Sequence, residues 1–462
     1  MGTSAPESHG SWRRWFGGGP PPSPSGYWEG SLPSSPSPLR VIFYVEPTPT
    51  GLIGTVNSPD AQGAVIAVRK IESQGRDLTL DVPRVRAGFR GKLARNGRRI
   101  HGTWTQDGRK YPLTLSHVSR VEDTPRPQTP RSPFPYREEH VTFASFGSPD
   151  VQLAGTFMIP EGSGPFPGIV LIAGSGPNSR DEELFRHKVF QVWGDYFARR
   201  GFAVLRYDKR GVGESGGTYD RAAVADFGAD ARGAFEWSLQ RPELDPRRIG
   251  LVGHSEGSIL APAVAATAPS TPAFLVLVGA PGVPGDRLLL AQNELVGRVA
   301  GISEEELAKQ RAGGEALDRA IQAEIESPEL KGDLAKLLKA QHVEHPERAA
   351  QWISTPWFRS FITTDPAPIL RRVRCPVLAV TGGLDLQVPA ALNLPPIAAA
   401  LKEAGNRDAT TMELPGLNHL LQPAKTGSPV EYGEIEITSD PAALALMADW
   451  MAERAKLGTL AL

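Results

Sequence analysis

The sequence predicts an α/β protein in which a mostly parallel sheet, with helices on both faces, follows a small all-β module. Three observations support this prediction. Short apolar runs alternate with amphipathic stretches of helical spacing over the later two thirds of the chain. The earlier part instead has turn dipeptides between alternating segments and no helical period. A length of 462 residues also exceeds what one hydrophobic core usually organises, so we expect at least two domains.

Composition indicates a globular protein and excludes two broad classes. Hydrophobic residues make up 40% and charged residues 22% of the chain, and the formal net charge is -1, so no nucleic-acid partner is expected. No apolar run reaches the roughly 18 residues of a membrane helix, so no membrane span is expected. The N-terminus lacks a signal-peptide core, which fits a cytoplasmic protein or an exported one whose leader is missing. Oligomeric state is not predicted.

The first elements are a polar tail and a β module. Residues 1–26 are rich in Gly, Pro and Ser and are expected to be disordered. Over 27–118, the dipeptides Asn96-Gly97 and Asp107-Gly108 supply the positive φ angles of two-residue hairpin turns, which predicts a sandwich or barrel. The Pro-rich stretch 119–138 is typical of an extended linker.

A larger α/β domain is predicted over 139–462. Its apolar strands are separated by helical segments, and an opening hairpin precedes them. The alternation breaks at Pro284 and resumes with "PVLAVTGG", leaving only helix-like segments at about 286–366. We interpret that insertion as a helical lid over the carboxyl edge of the sheet, where ligands of open α/β sheets bind.

The chain contains two G-x-S-x-G patterns, centred on Ser215 and Ser255. Ser255 follows the strand "RIGLVG" and precedes the helix "EGSILAPAVAA", which is the strand–turn–helix context of a nucleophilic serine. Side chains at positions 253 and 257 would collide across so tight a turn. Ser215 lies between two loops, so it is not expected to react. The alternative for Ser255 is a helix N-cap.

An acid and a base follow Ser255 in the order that such a site requires. Asp385 lies in the loop after the strand "PVLAVTGG", and His419 lies in the loop after "ATTMEL". Of nine histidines, His419 is the only one C-terminal to Asp385. A serine hydroxyl needs such a base, and the base needs an acid to orient it. We therefore predict the catalytic residues Ser255, Asp385 and His419, although a solvated turn would also suit Asp385.

Two backbone N–H groups are predicted to form an oxyanion hole. One belongs to Glu256, directly after the nucleophile at the start of its helix. The other is expected from the loop "GSGPNSRD", where Ser175 is favoured and Gly174 is the alternative. This loop lacks the Gly-Lys-[Ser/Thr] of a phosphate-binding loop. In "YDKRGVGES", Asp208 and Arg210 are interpreted as part of a structural turn.

Several neighbouring residues are assigned mainly structural roles. His254 is expected to point away from the attacking face, and His187 to pack or lie at the surface, with pocket lining as the alternative. The only cysteine, Cys375, heads an apolar run and is expected to be a small buried hydrophobe. Four aromatic residues of the insertion either line an acyl pocket or pack the lid: Trp352, Trp357, Phe358 and Phe361.

Four segments together resemble the α/β-hydrolase superfamily, over about 137–457. They are "GPFPGIVLIAGSGPNSRDE", "FARRGFAVLRYDKRGVGESGG", "IGLVGHSEGSILAP" and "PVLAVTGGLDLQVP". The similarity is greatest to bacterial carboxylesterases of the serine-aminopeptidase-like branch, whose members often carry a β-rich module ahead of the hydrolase. The resemblance implies hydrolysis of small-molecule esters, usually with short acyl chains, through an acyl-enzyme and without metal or organic cofactor.

The predicted function is therefore a serine carboxylesterase. A peptidase or an acyl-CoA thioesterase using the same residues is the alternative. A third hypothesis is a carbohydrate- or partner-binding protein led by the β module, against which the complete Ser–Asp–His set argues. A haloalkane dehalogenase is disfavoured because that chemistry needs Asp where Ser255 stands.

Overall fold

The computed structural model describes residues 24–33, 39–48, 51–58, 65–118, 126–323, 330–341, 343 and 346–456. The chain divides into two compact units, Met1–Thr124 and Pro125–Leu462. The tail predicted to be disordered lies outside the described residues up to position 23. In the part of the chain that is described, no helix is both long enough and apolar enough to cross a membrane.

The first unit is built of antiparallel strands that close on themselves. The strands are β1 (Gly26–Leu32), β2 (Leu39–Thr48), β3 (Gly51–Asn57), β4 (Val65–Ala67), β5 (Lys70–Gln74), β6 (Asp77–Val82), β7 (Ala87–Leu93), β8 (Arg99–Gln106) and β9 (Arg109–Val118). They pair in the order β2-β1-β9-β8-β7-β6-β5-β3-β4, and β2 also pairs with β3. That extra pairing closes a barrel, the second of the two predicted architectures.

Of the two predicted two-residue hairpin turns in the barrel, one is observed. Gln106 pairs directly with Arg109, and Asp107 and Gly108 both have positive φ, which confirms a two-residue turn. Leu93 pairs with Ile100, so the predicted two-residue turn at Asn96-Gly97 is wrong. A longer loop forms there, and only Gly97 of that dipeptide has positive φ.

The second unit contains a mixed sheet. Its strands are β10 (Tyr136–Ser145), β11 (Ser148–Pro160), β12 (Phe166–Ile172), β15 (Ala203–Tyr207), β16 (Leu244–His254), β17 (Leu275–Val278), β18 (Val377–Gly382) and β19 (Ala409–Leu414), while β13 (Glu183–Leu184) and β14 (His187–Lys188) form a separate hairpin. The order is β10-β11-β15-β12-β16-β17-β18-β19. The β10–β11 hairpin is antiparallel as predicted, β11 is antiparallel to β15, and the pairs beyond are parallel.

Helices cover this sheet and form the insertion. They are α1 (Val189–Arg199), α2 (Val224–Leu239), α3 (Gly257–Thr267), α4 (Gly285–Val299), α5 (Glu304–Ala323), α6 (Leu330–Ala340), α7 (Pro346–Ile353), α8 (Pro356–Thr363), α9 (Ala367–Leu370), α10 (Ala390–Glu403) and α11 (Pro441–Arg454). Helices α4 to α8 lie between β17 and β18, at the predicted place, and we call them the helical insertion. They have an apolar cluster of their own, which includes Leu334, Phe358 and Ile362.

The second unit begins before position 139, inside the stretch predicted as a linker. Arg126 is buried and donates hydrogen bonds to the carbonyls of Phe185 and Gly433. Gln128 accepts from the backbone N–H of Thr438 and of Ser439. The prolines that suggest an extended linker are compatible with this, because residues 126–135 have no regular secondary structure and are held by polar side chains.

Candidate active site

Ser255 lies at the sharp turn from β16 into α3. Its φ is +54°, a left-handed conformation that is unusual for a residue other than glycine. A Cβ at Gly253 would lie 2.3 Å from the carbonyl oxygen of Gly257, and a Cβ at Gly257 would lie 2.0 Å from that of Ile172. Both glycines are therefore required by close packing, as predicted. The half-buried Ser255 stands at the apex of this turn.

His419 and Asp385 meet beyond the carboxyl ends of β18 and β19. Nδ1 of His419 donates to Oδ2 of Asp385 over 2.7 Å, and both side chains are buried. The other carboxylate oxygen, Oδ1, accepts the backbone N–H groups of Gln387 and Val388 at 2.9 and 2.8 Å. Because the carboxylate holds a proton on Nδ1, Nε2 of the neutral imidazole is left as an acceptor. This is the tautomer that a general base requires.

The loop after β17 contacts both Ser255 and His419. The backbone N–H of Ser255 donates to the carbonyl of Val278 over 2.8 Å, and a Cβ at the next residue, Gly279, would lie 2.9 Å from Nδ1 of His419. The Ser255 hydroxyl makes no hydrogen bond within the described residues. The Ser–His contact thus remains a prediction, and in free enzymes such contacts commonly tighten only when substrate binds.

Of the two candidates for the first oxyanion donor, Ser175 and Gly174, only Ser175 has a backbone N–H without a partner in the described residues. The N–H of Gly174 donates to Oε1 of Glu182 over 2.6 Å, which removes Gly174 as the alternative donor. Ser175 is exposed, and within the described residues neither its N–H nor that of Glu256 is bonded. The role of these two N–H groups in an oxyanion hole stays a prediction.

The carboxylate of Glu256 has a role that the sequence analysis did not assign. Glu256 is completely buried. Its Oε2 accepts from Nζ of Lys209 at 2.8 Å, and its Oε1 accepts from the indole N–H of Trp357 in α8 at 2.5 Å. The carboxylate thus connects the Ser255 turn to the helical insertion. Lys209 was missed because the "YDKRGVGES" motif was interpreted only as a turn, although it follows β15 at the carboxyl edge of the sheet.

His254 is a structural residue that links three loops, as its predicted orientation implied. Its Nε2 donates to the backbone carbonyl of His419, and its Nδ1 faces Oε1 of Glu182, each at 3.0 Å. Burial alone would lower the pKa of His254, but the Glu182 carboxylate opposes this and the net shift of the pKa is upward. The hydrogen-bonded pair of His254 and Glu182 thus holds the His419 loop through its backbone. No pattern in the sequence marked Glu182.

Other residues considered from the sequence are structural. The Ser215 hydroxyl donates to the carbonyl of Asp208 and accepts from Ala154, so its rejection as a nucleophile is supported. His187 is fully buried, so the surface alternative is wrong and packing is confirmed. Cys375 is buried as expected, and burial raises the pKa of its thiol to about 12. Phe358 and Phe361 are buried among apolar side chains, whereas Trp352 and Trp357 are half-buried.

The strained serine turn, on a mostly parallel sheet of this strand order, defines an α/β-hydrolase of the serine-hydrolase type. A comparison with protein families makes the class more specific. The model described as X-Pro dipeptidyl-peptidase (S15 family) matches residues 147–394, more than half of the chain. The chain belongs to that family. The resemblance to the α/β-hydrolase superfamily is thereby confirmed.

Individual relatives include named esterases. The chain is 27% identical over 299 residues to Esterase EstD of Thermotoga maritima, and the match spans 64% of this chain and 65% of that esterase, just under two thirds. Among solved structures, the Pyrococcus furiosus esterase Pf2001 superposes with a TM-score of 0.43 at 16% identity, covering 73% of this chain and 96% of that one. The hypothetical protein PA2218 of Pseudomonas aeruginosa gives 0.43 at 18% identity, covering 73% and 99%. The family assignment does not depend on these superpositions.

Proposed function

We propose that the protein is a serine carboxylesterase that hydrolyses short-chain carboxylic esters through an acyl-enzyme. The observation that carries the proposal is that the loop after β17 contacts both the Ser255 turn and the hydrogen-bonded pair of His419 and Asp385. Similarity to Esterase EstD supports an ester as substrate. Esters need less leaving-group activation than amides, so they are less demanding substrates than peptides for such a site.

The proposed mechanism assigns one role to each group. Nε2 of His419 takes the proton of the Ser255 hydroxyl as its oxygen attacks the ester carbonyl, and Asp385 stabilises the imidazolium that forms. The N–H groups of Ser175 and Glu256 donate to the oxyanion of the tetrahedral intermediate. His419 then gives its proton to the departing alcohol. A water molecule, deprotonated by the same imidazole, releases the acid from Ser255.

A peptidase is the second candidate, because the matched family is described by an X-Pro dipeptidyl-peptidase activity. Recognition of a peptide N-terminus requires carboxylates that face the substrate ammonium. The acids of "SEEEL" in α5 are exposed, and Glu304 and Glu305 pair with Arg298 and Lys309. All the acids of "EIESPEL" lie outside the described residues. The described acids of "SEEEL" thus supply no support for ammonium binding.

A substrate panel separates the candidates. We expect the highest kcat/KM with p-nitrophenyl acetate or butyrate, and much lower values with an X-Pro anilide, proline-β-naphthylamide and butyryl-CoA. The matched control is Ser255→Ala with every substrate, which exposes background hydrolysis. A higher kcat/KM for the anilides or the thioester than for the p-nitrophenyl esters would replace the esterase proposal with the corresponding alternative.

A further inference from the structure

We propose that Lys209 is a positioning residue of the oxyanion hole, which holds the two residues that supply the N–H donors. The inference rests on the proposed function, because it concerns how the tetrahedral intermediate is stabilised. Lys209 follows β15, while the donors follow β12 and β16. One side chain therefore connects three neighbouring loops at the carboxyl edge of the sheet.

The ammonium group of Lys209 is buried, and each of its three N–H groups faces an acceptor. Lys209 is only 3% exposed. Its Nζ donates to the carbonyl oxygen of Gly174 over 2.5 Å and to Oε2 of Glu256 over 2.8 Å. It also lies 4.6 Å from the centroid of the Phe227 ring. A carbonyl, a carboxylate and an aromatic face thus receive the three N–H groups, which compensates the cost of burying the charge.

The contact with Gly174 fixes the first oxyanion donor. The carbonyl of Gly174 and the N–H of Ser175 belong to the same peptide group, and in a trans peptide they point in opposite directions. Holding the carbonyl therefore fixes the direction of the N–H. The side-chain amide of Asn178 donates to the same carbonyl over 2.9 Å. A charged donor on the carbonyl also polarises the peptide, which makes its N–H a stronger donor.

The contact with Glu256 fixes the second donor. Glu256 directly follows the nucleophile, and its backbone N–H is the donor that faces the substrate in the proposed mechanism. Its fully buried carboxylate is held by Lys209 on one oxygen and by Trp357 on the other. Rotation of this residue would break both bonds. Lys209 therefore sets the separation between the two N–H groups that converge on the oxyanion.

The test compares Lys209→Met with the double variant Lys209→Met/Glu256→Gln. Met has nearly the length of Lys without its charge, and Gln at 256 leaves no buried carboxylate without a partner. The matched control is Lys309→Met, which removes an exposed lysine paired with Glu305. We measure kcat and KM for p-nitrophenyl butyrate, and the inhibition constant of a short alkyl trifluoromethyl ketone, whose adduct with Ser255 carries the oxyanion. Circular dichroism and thermal unfolding report the fold.

The expected result is a kcat that falls about 10- to 100-fold in the double variant, with KM changed by less than about twofold. Affinity for the ketone should fall in parallel with kcat, since both report stabilisation of the oxyanion. A double variant that keeps wild-type kcat and ketone affinity would overturn the proposal, as would a loss of kcat with unchanged ketone affinity. If the single variant does not fold, the double variant decides.

The proposed function and this inference fail in different ways. Wild-type protein that hydrolyses no ester, or Ser255→Ala that hydrolyses esters at the wild-type rate, contradicts the proposed function. A protein whose activity depends on Ser255 but not on Lys209 contradicts only the positioning role.

Discussion

The two oxygens of Asp385 have separate tasks. Oδ1 is held by two backbone N–H groups from the following turn, and Oδ2 receives the Nδ1 proton of His419. The turn therefore orients the carboxylate, and the carboxylate orients the imidazole. Replacement of Oδ2 alone can therefore change the hydrogen bond to His419 without changing the turn that Oδ1 holds.

Asp385→Asn is predicted to abolish most activity with little loss of stability. The amide oxygen can keep both backbone hydrogen bonds, so the NH₂ group faces His419. That group donates to Nδ1, which forces the proton onto Nε2 and blocks the general base. We expect kcat for p-nitrophenyl butyrate to fall about 10³- to 10⁴-fold. A melting temperature within a few degrees of wild type is the control, and a loss of less than tenfold would contradict the proposed role of Asp385.

At this scale, residues with a strong local signal could be predicted, but their partners could not. Ser255, Asp385 and His419 were chosen because each follows a recognisable strand. Lys209 contacts Glu256 across 47 residues, and Trp357 reaches the same carboxylate across 101. Nothing in the local sequence of these residues specifies such pairs, because they depend on how loops of different length meet above the sheet.

At the scale of elements, the helical insertion is joined to the active-site turn by the hydrogen bond from Trp357 to Glu256. Helix α8 begins after Thr355, whose hydroxyl accepts the N–H of Phe358, so the start of the helix is well defined. The Trp357 ring also packs on Phe361, with centroids 5.3 Å apart. The position of α8 is thus set by apolar packing together with two hydrogen bonds, this one and the one that the Ser360 hydroxyl accepts from the backbone N–H of Val224.

Trp357→Phe is predicted to weaken that attachment. The ring is largely retained, while Oε1 of the buried Glu256 loses its donor, which costs about 1–3 kcal/mol of unfolding free energy. Denaturant unfolding measures this loss. The matched control is Trp352→Phe in α7, where the indole N–H makes no hydrogen bond within the described residues. Equal losses in the two variants would show that the Glu256 contact does not contribute to the attachment of α8.

Most helices and strands of the second unit can be predicted from the spacing of hydrophobic residues in the sequence. The strand "ATTMEL" is observed as β19. The sequence also predicts helices over 256–267 and from Pro389 to Ala404, and these are α3 and α10 within about one residue. The helical spacing of Phe190, Trp193 and Phe197 predicts a helix over 183–201, but α1 begins only at Val189. The β13–β14 hairpin precedes it, and both residues of its turn, Phe185 and Arg186, have positive φ, which propensity does not anticipate for these residue types.

At the scale of the molecule, closure of the barrel and the assembly of the C-terminal segment depend on contacts between distant parts of the chain. The sequence does not distinguish a sandwich from a barrel, because closure of the barrel requires β2 to pair with both β1 and β3. In the second unit, the side chain of His187 makes hydrogen bonds to the segment near the C-terminus. Its Nε2 donates to the carbonyl of Tyr432, and its Nδ1 accepts from the hydroxyl of Thr438.

This packing predicts acid sensitivity of the second unit. Burial, together with the neighbouring Arg126, lowers the pKa of His187 to about 3 from its usual 6.5. As pH falls, the unfolded chain therefore takes up a proton on His187 at a higher pH than the folded protein does. The stabilisation is complete above pH 6.5 and is lost between pH 6.5 and 3, by about 1.4 kcal/mol per pH unit. His187→Gln should flatten the dependence of unfolding free energy on pH in this window. An unchanged slope in denaturant titrations would contradict the prediction.

The central claim is that Ser255 is the nucleophile of an ester hydrolase. Its most direct test is the hydrolysis of p-nitrophenyl butyrate by the wild-type protein and by Ser255→Ala, with Ser215→Ala as the matched variant at the other G-x-S-x-G pattern. We predict loss of turnover to the background rate in Ser255→Ala with an unchanged circular dichroism spectrum, while Ser215→Ala keeps its activity when folded. Near-normal turnover by a folded Ser255→Ala variant would contradict the claim.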